Sequence, residues 1–157
     1  MIICDKPATV DIVKSMKTIG ISNDHAGYEI KQKIVVYLQQ KGYEVKDFGS
    51  ASSEPVDYPD YAHPLAEAVV NGECNLGIAI CGSGNGINIT ANKHTGIRGA
   101  LCWFPEISRL ARAHNNANMC SLPACFISEV TAYRIIDEFI NTSFDGGRHQ
   151  SRIEKIE

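Results

Sequence analysis

A cysteine stands at the entrance to a glycine-rich segment near the middle of the chain. Residues 81–86 read Cys-Gly-Ser-Gly-Asn-Gly and follow an apolar run, residues 76–80, that is typical of a buried strand. Alternating glycines between a strand and a helix allow several backbone N–H groups to point into one cavity, where they can hold an anion or an oxyanion. A thiol in such a field ionises more easily than a free thiol. The segment therefore combines a candidate base or nucleophile, Cys81, with a candidate oxyanion cradle.

Several common glycine-rich motifs do not fit this segment. Its order is not that of the G-x-G-x-x-G dinucleotide fingerprint, the nucleotide P-loop or the G-x-S-x-G nucleophile elbow. A phosphatase loop of the Cys-x5-Arg kind needs arginine at position 87, where this chain has Ile87. The alternative that the local pattern leaves open is a tight turn with a buried cysteine.

Two histidines lie beside polar residues, one after a predicted strand and one at the end of a predicted helix. Asp24 and His25 follow the first predicted strand, so they can present a carboxylate and an imidazole to a ligand. Alternatively, Asp24 only caps the next helix. His114 and Asn115 close a later helix, where the helix dipole by itself favours a histidine.

A pair of arginines follows two glycines near the end of the chain. Arg148 and Arg152 are four residues apart, so they share one face of a predicted helix. Two guanidinium groups on one face suit the binding of a phosphate or a carboxylate. The alternative is a solvated tail.

Composition limits the possible functions. The 157 residues suit one compact domain, and the formal net charge of −3 gives no reason to expect a nucleic acid partner. No apolar run approaches the roughly 18–20 residues of a membrane-spanning helix, so we expect no membrane association. The six cysteines include no C-x-x-C pair, which favours a reduced, cytoplasmic protein over a disulfide framework. A zinc site is not expected, because the spacing of the imaginable ligands Cys102, His114, Cys120 and Cys125 matches no known zinc finger.

Short β-type runs alternate with longer helical ones along the chain. The predicted strands are residues 18–22, 43–48, 76–80, 97–102 and 118–122, and the main predicted helices are residues 26–40, 60–70, 106–114 and 129–140. This order predicts a single α/β domain, a three-layer doubly wound sheet of five mainly parallel strands that binds ligands at the carboxyl ends of its strands. Asp24, His25 and Cys81 belong to that edge, whereas the place of His114 stays open.

The N-terminal segment differs from the rest of the chain. Residues 1–15 have no basic start followed by an apolar core, so they are not typical of a secretory signal. A natural first strand begins near Met16. We therefore expect an appendage without a catalytic role at residues 1–15 and one catalytic domain at residues 16–157.

Seven polar segments occur in an order and spacing that resemble ribose-5-phosphate isomerase type B, whose superfamily includes galactose-6-phosphate isomerases. They are residues 24–27, 56–62, 80–86, 91–93, 96–98, 114–118 and 146–149. The resemblance runs from about residue 17 to residue 154. It implies a Rossmann-like fold and the interconversion of ribose 5-phosphate and ribulose 5-phosphate through a cis-enediolate, a step of the non-oxidative pentose phosphate pathway, without metal or cofactor.

The resemblance also implies a role for each candidate residue. Cys81 is the base that moves a proton between C2 and C1, and Ser83 with the backbone amides of the turn holds the enediolate oxygen. His114 opens the furanose ring. The residues implied in substrate binding are Gly82, Gly84, Asn85 and Gly86 around the enediolate, Asp24 and Asn115 at the sugar oxygens, and His25, Arg148 and Arg152 at the phosphate.

In the family the site lies between two subunits, with the histidine and asparagine supplied by the partner of the cysteine-bearing chain. The resemblance thus implies a homodimer that can pair further into a tetramer. Cys125 departs from the family pattern, because an arginine that contacts phosphate is common there, and Asn116 stands where aspartate is common. The open alternatives are an isomerase of a six-carbon substrate, such as allose or galactose 6-phosphate, and a catalytically silent sugar-phosphate-binding protein.

Overall fold

The computed structural model describes residues 16–156, so the appendage expected at residues 1–15 lies outside the described part. The strands are β1 (Thr18–Asn23), β2 (Glu44–Asp47), β3 (Leu76–Cys81), β4 (Gly99–Leu101) and β5 (Met119–Pro123). The α-helices are α1 (Tyr28–Gln40), α2 (Pro59–Val70), α3 (Asn85–Ala91), α4 (Pro105–Asn115), α5 (Glu129–Asn141) and α6 (Gln150–Ile153), and 3₁₀ turns cover His25–Gly27 and Gly147–His149. No helix within residues 16–156 is both long and apolar enough to cross a membrane.

All five strands lie in one parallel sheet with the order β2-β1-β3-β5-β4. The connection from β1 leads outward to β2, and the next connection crosses back over β1 to reach β3. This reversal puts a topological switch point between β1 and β3, where ligands bind at the carboxyl ends of the strands in open α/β sheets. The predicted fold class is confirmed.

The sheet is covered on both faces because alternate residues of the central strands point to opposite sides. Ile78 and Ile80 pack into a core that includes residues of α1, α4 and α5. Ala79 and Cys81 pack into a second core with residues of α2 and α3. The Cys81 side chain therefore lies at the end of the second core, on the α2 and α3 side of the sheet.

The edge strand β4 is shorter than the predicted strand at residues 97–102. The side chain of Asn92 binds both polar groups of Gly99, its amide nitrogen donating to the carbonyl at 3.0 Å and its oxygen accepting from the N–H at 2.9 Å. The Arg98 N–H donates to Asn118 Oδ1 at 2.8 Å instead of joining the strand ladder. Side-chain amides thus bind the outward backbone groups of Gly99 and the N–H of Arg98. The strand ladder begins only at Gly99, so β4 has three residues.

Candidate active site

The turn after β3 surrounds the thiol of Cys81. The Gly84 N–H donates to Cys81 Sγ at 3.1 Å, and the cysteine is only 4% exposed. Gly84 has φ +74°, and a Cβ there would collide with the Leu101 side chain and come within 3.1 Å of the Leu122 carbonyl carbon. Only glycine fits this position, because both its backbone conformation and its surroundings exclude a side chain. The glycine at position 84 thus allows the backbone conformation that directs an N–H group at the sulfur.

Ser83 and the start of α3 form the outer part of the same turn. The Ser83 side chain is exposed, and its Oγ accepts from the Asn85 N–H at 3.3 Å. The next amides belong to the first turn of α3, whose N–H groups have no partner within the helix. The ring of Tyr58 lies against this turn, since a Cβ on Gly86 would be 2.5–2.9 Å from its carbons. Sequence reasoning left out Tyr58 as a site residue, although it lies in one of the matching segments.

Asp24 and His25 lie at the carboxyl edge beside Cys81. The Asp24 N–H donates to the Ile80 carbonyl at 3.1 Å, which joins the ends of β1 and β3. Asp24 Oδ1 accepts from the N–H groups of Ala26 and Gly27 at 3.0 and 3.2 Å, so the expected cap is present. His25 is exposed, and its Nδ1 lies 3.3 Å from both the nitrogen and the oxygen of Val56. When the Val56 N–H donates to Nδ1, the ring proton is on Nε2, where it can be given to an anion.

A buried lysine anchors the segment that carries Val56 and Tyr58. Lys31 is 2% exposed, and its Nζ donates to Asp47 Oδ2 at 2.8 Å and to the Ser50 carbonyl at 3.0 Å. An ammonium group is kept buried only when it is paired and hydrogen-bonded. This contact holds the start of the connection between β2 and α2 against α1, and so supports the residues that line the Cys81 turn.

Cys125 lies next to the glycine turn. Its N–H donates to the Gly82 carbonyl at 3.0 Å, and its exposed Sγ would be 3.5 Å from a Cβ on Gly82. Position 125, where the resemblance implies an arginine in other members, therefore belongs to the same edge as Cys81 and His25.

His114 and Asn115 lie at the opposite end of the strands, which we call the amino edge of the sheet because the strands begin there. Helix α4 begins after β4 at the carboxyl edge and returns to the start of β5, where Asn118 exchanges backbone hydrogen bonds with Gly77 and Arg98 at the amino ends of β3 and β4. His114 is thus separated from Cys81 by the length of β3, about 20 Å at ~3.3 Å per residue. One chain alone does not bring the two residues together.

The C-terminal segment adds further polar groups beside His114. The Asp145 N–H donates to the Ala113 carbonyl at 2.9 Å, and Asp145 Oδ2 lies 4.0 Å from His114 Nε2. His149 stacks on His114 with ring centroids 4.3 Å apart and planes inclined by 9°. Burial, followed by the positive charges of His114 and the two arginines, lowers the pKa of His149 below its ordinary value. Sequence reasoning singled out neither Asp145 nor His149, although His149 lies in the matching Gly-Gly-Arg-His segment.

The two arginines lie on either side of His149 in the sequence. Arg148 lies in the 3₁₀ turn Gly147–His149 and Arg152 in α6, which continues that turn, and both side chains are exposed. The predicted single helix is therefore a 3₁₀ turn that runs into one α-helical turn. The four candidates at this edge, Arg148, Arg152, His114 and Asn115, form a cationic and polar group of their own.

The four imagined zinc ligands do not meet at one point, although the side chains of Cys102 and Cys120 contact each other. Cys102 and Cys120 are buried within the sheet, Cys125 lies at the carboxyl edge and His114 at the amino edge. The cysteines within the described residues are free thiols.

The model of the family described as ribose/galactose isomerase matches residues 19–156. Ribose-5-phosphate isomerase B of Escherichia coli is 43% identical over 141 residues, which cover 90% of this chain and 95% of the relative. A ribose 5-phosphate isomerase structure from Thermotoga maritima has a TM-score of 0.88 and 50% identity, covering 89% of this chain and 97% of the other. Ribose-5-phosphate isomerase B of Mycoplasma genitalium, solved with bound ribulose-5-phosphate, has a TM-score of 0.85 and 40% identity over 88% of this chain and 93% of the other. The chain belongs to the ribose/galactose isomerase family.

Proposed function

We propose that this protein interconverts ribose 5-phosphate and ribulose 5-phosphate in the cytoplasm. The observation that carries the proposal is the Cys81 thiol, which accepts an N–H from its own glycine turn at the switch point of the sheet. The Mycoplasma genitalium relative with ribulose-5-phosphate bound supports the choice of substrate. Free thiols among the described cysteines agree with a reducing compartment.

The proposed chemistry is the transfer of one proton by Cys81. Its thiolate removes the proton from C2 of the open-chain aldose, the C–H electrons form the C1–C2 double bond, and negative charge moves to O1. Return of the proton to C1 leaves the carbonyl at C2, while O2 loses a proton and O1 gains one. The Gly84 N–H stabilises the thiolate. The remaining amides of the turn and the Ser83 hydroxyl are the donors for the enediolate oxygen.

The complete site needs two chains in this proposal. Cys81, Ser83, Asp24 and His25 lie at one edge of the sheet, whereas ring opening and most of the phosphate binding fall to residues at the other edge. A two-fold dimer can bring the carboxyl edge of one subunit to the amino edge of the other, and symmetry then makes two equivalent sites. The partner's His114 would open the ring and the partner's Asn115 would bind a sugar oxygen, while the partner's Arg148 and the partner's Arg152 would join His25 at the phosphate.

Exposed apolar side chains at the carboxyl edge support an interface there. Trp103 and Phe104, between β4 and α4, are 54% and 58% exposed, and Phe126, after β5, is 76% exposed. Three large aromatic residues at one edge are unusual for a surface that faces only water. A second copy of the chain is the occupant that would also complete the site, and such dimers could pair further into a tetramer.

A direct assay tests the function. We expect the purified protein to convert ribose 5-phosphate to ribulose 5-phosphate without added metal, and to act on allose 6-phosphate or galactose 6-phosphate with much lower kcat/KM. A preference for a hexose 6-phosphate would contradict the choice of substrate. No turnover of any of these sugar phosphates by folded protein would favour a silent binding protein.

Replacement of His114 should separate ring opening from proton transfer. In His114→Ala we expect isomerisation of ribose 5-phosphate to fall by roughly 10²–10⁴-fold, the usual contribution of a general acid or base. Exchange of the C1 proton of ribulose 5-phosphate with D2O should persist, because this ketose has no furanose ring to open. The measurement is NMR in D2O, with wild type as the reference for exchange. Loss of exchange to the same extent as isomerisation would place His114 in the enolisation step.

Replacement of Cys125 tests the phosphate site. A charge-assisted hydrogen bond contributes roughly 1.5–3 kcal/mol, so Cys125→Arg should lower KM for ribose 5-phosphate by roughly ten- to a hundredfold. The kcat should change little, because phosphate binding is shared by the ground and transition states. Cys125→Ser removes the same thiol without adding charge and should leave KM unchanged. An unchanged or raised KM in Cys125→Arg would mean that position 125 does not face the phosphate or that another cation already fills this role.

A further inference from the structure

Three possible metal ligands meet at the amino edge of the sheet. His114, Asp145 and His149 each offer one ligand atom, and these atoms all lie within 4.8 Å of one another. Among the described residues no other group of three or more His, Cys, Asp or Glu side chains is so placed. We propose that His114, Asp145 and His149 form a binding site for a divalent transition-metal ion of the zinc class, and that the bound ion inhibits the enzyme.

The distances are close to those of a metal site. Zinc bonds to nitrogen and oxygen are about 2.0–2.2 Å, so two ligands of a tetrahedral ion are about 3.4 Å apart. No pair of ligand atoms therefore has to shorten its separation by more than about 1.4 Å, and the 4.0 Å between His114 Nε2 and Asp145 Oδ2 must shorten by about 0.6 Å. At 4.0 Å these two atoms are too far apart for a hydrogen bond, so an ion does not have to replace one between them.

His114 and Asp145 are the side chains that must move to bring the three ligands together. The parallel imidazoles cannot direct a nitrogen at one ion without a rotation, because their planes differ by only 9°. His149 is 9% exposed and is held by packing. In a single chain the side chains of His114 and Asp145 are 40% and 59% exposed, which leaves them room to rotate towards His149. Convergence of the three ligands therefore requires a ring rotation in His114 and a change of rotamer in Asp145.

The donor set indicates the class of metal. Two imidazoles and one carboxylate suit zinc, nickel, cobalt or copper, whereas magnesium and calcium prefer oxygen ligands alone. Neutral imidazole is the form that binds metal. Arg148 and Arg152 repel a cation, so we expect reversible binding that chelators remove.

Metal binding has a specific consequence for catalysis, and this consequence rests on the function proposed above. An ion bound to His114 takes the lone pair that ring opening needs. Zn²⁺ should therefore inhibit isomerisation of ribose 5-phosphate while leaving C1 exchange of ribulose 5-phosphate in D2O intact. An ion bound at Cys81 would abolish both.

Cobalt substitution tests the site without reference to activity. Co²⁺ added to the wild-type protein should give the visible absorption of a four-coordinate ion with nitrogen and oxygen ligands, and Zn²⁺ should displace it. Asp145→Asn and His149→Gln should each weaken the affinity at least about tenfold, as is typical even for groups that only support metal ligands. Glu154→Gln, which changes a nearby carboxylate outside the cluster, is the matched control and should bind as wild type does. Unchanged affinity in both cluster variants, or a near-ultraviolet thiolate-to-cobalt band with no effect of Asp145→Asn, would overturn the proposal.

Discussion

Cys81→Ala is expected to reduce isomerisation by at least roughly 10³-fold, since it removes the group that carries the proton in both half-reactions. The same variant should lose C1 exchange of ribulose 5-phosphate, which distinguishes it from His114→Ala. Binding of inorganic phosphate should remain, because no proposed phosphate contact is altered. The measurements are initial rates for both sugar phosphates, NMR exchange in D2O and calorimetric titration with phosphate.

The matched control is Cys125→Ala, which removes the exposed thiol at the same edge of the sheet. This variant should stay within about threefold of wild type, a barrier change of less than 1 kcal/mol. Iodoacetamide should inactivate the wild type through Cys81, with protection by substrate, and a peptide map identifies the modified residue. Cys81→Ala activity within about tenfold of wild type would show that another group removes the proton.

The fold could be predicted closely because its signals are local. The apolar run before Cys81 became β3, and the alternation of strands and helices gave the parallel sheet. Deviations occurred where side chains replace backbone partners, as at the start of β4, where the Arg98 N–H donates to the Asn118 side chain. Hydrophobic periodicity cannot reveal such a contact, because it depends on an amide from another element.

Only half of the candidate site could be predicted from the sequence. Asp24 and Cys81 follow strands, so the switch-point rule assigned them to one edge, and the structure brings them together. His114 ends a helix that runs back along the sheet, so no local pattern in one chain could link it to Cys81. The contacts of His114 with Asp145 and His149 join residues more than thirty positions apart, and motif spacing carries no information on that contact.

The separation of Cys81 from His114 within one chain predicts that two inactive variants restore each other. Subunits of Cys81→Ala and His114→Ala should be co-expressed in equal amounts and purified together, without separating the mixed dimers from the others. A mixed dimer contains one site with both lesions and one site with neither, because each site takes its cysteine and its histidine from different chains. With random pairing about half of the dimers are mixed, so activity should rise from near zero to about a quarter of wild type.

A double variant carrying Cys81→Ala and His114→Ala in one chain gives the reciprocal control. When it is paired with wild type, each site of a mixed dimer carries one lesion, so only wild-type dimers, about a quarter of the total, remain active. If both residues acted within one chain, the same mixture would keep about half of the full activity, and the two single variants would not complement at all. The two mixtures thus give opposite changes for the two arrangements. A composite site is the result we expect, because the sheet itself keeps the thiol and the imidazole at opposite edges of each chain.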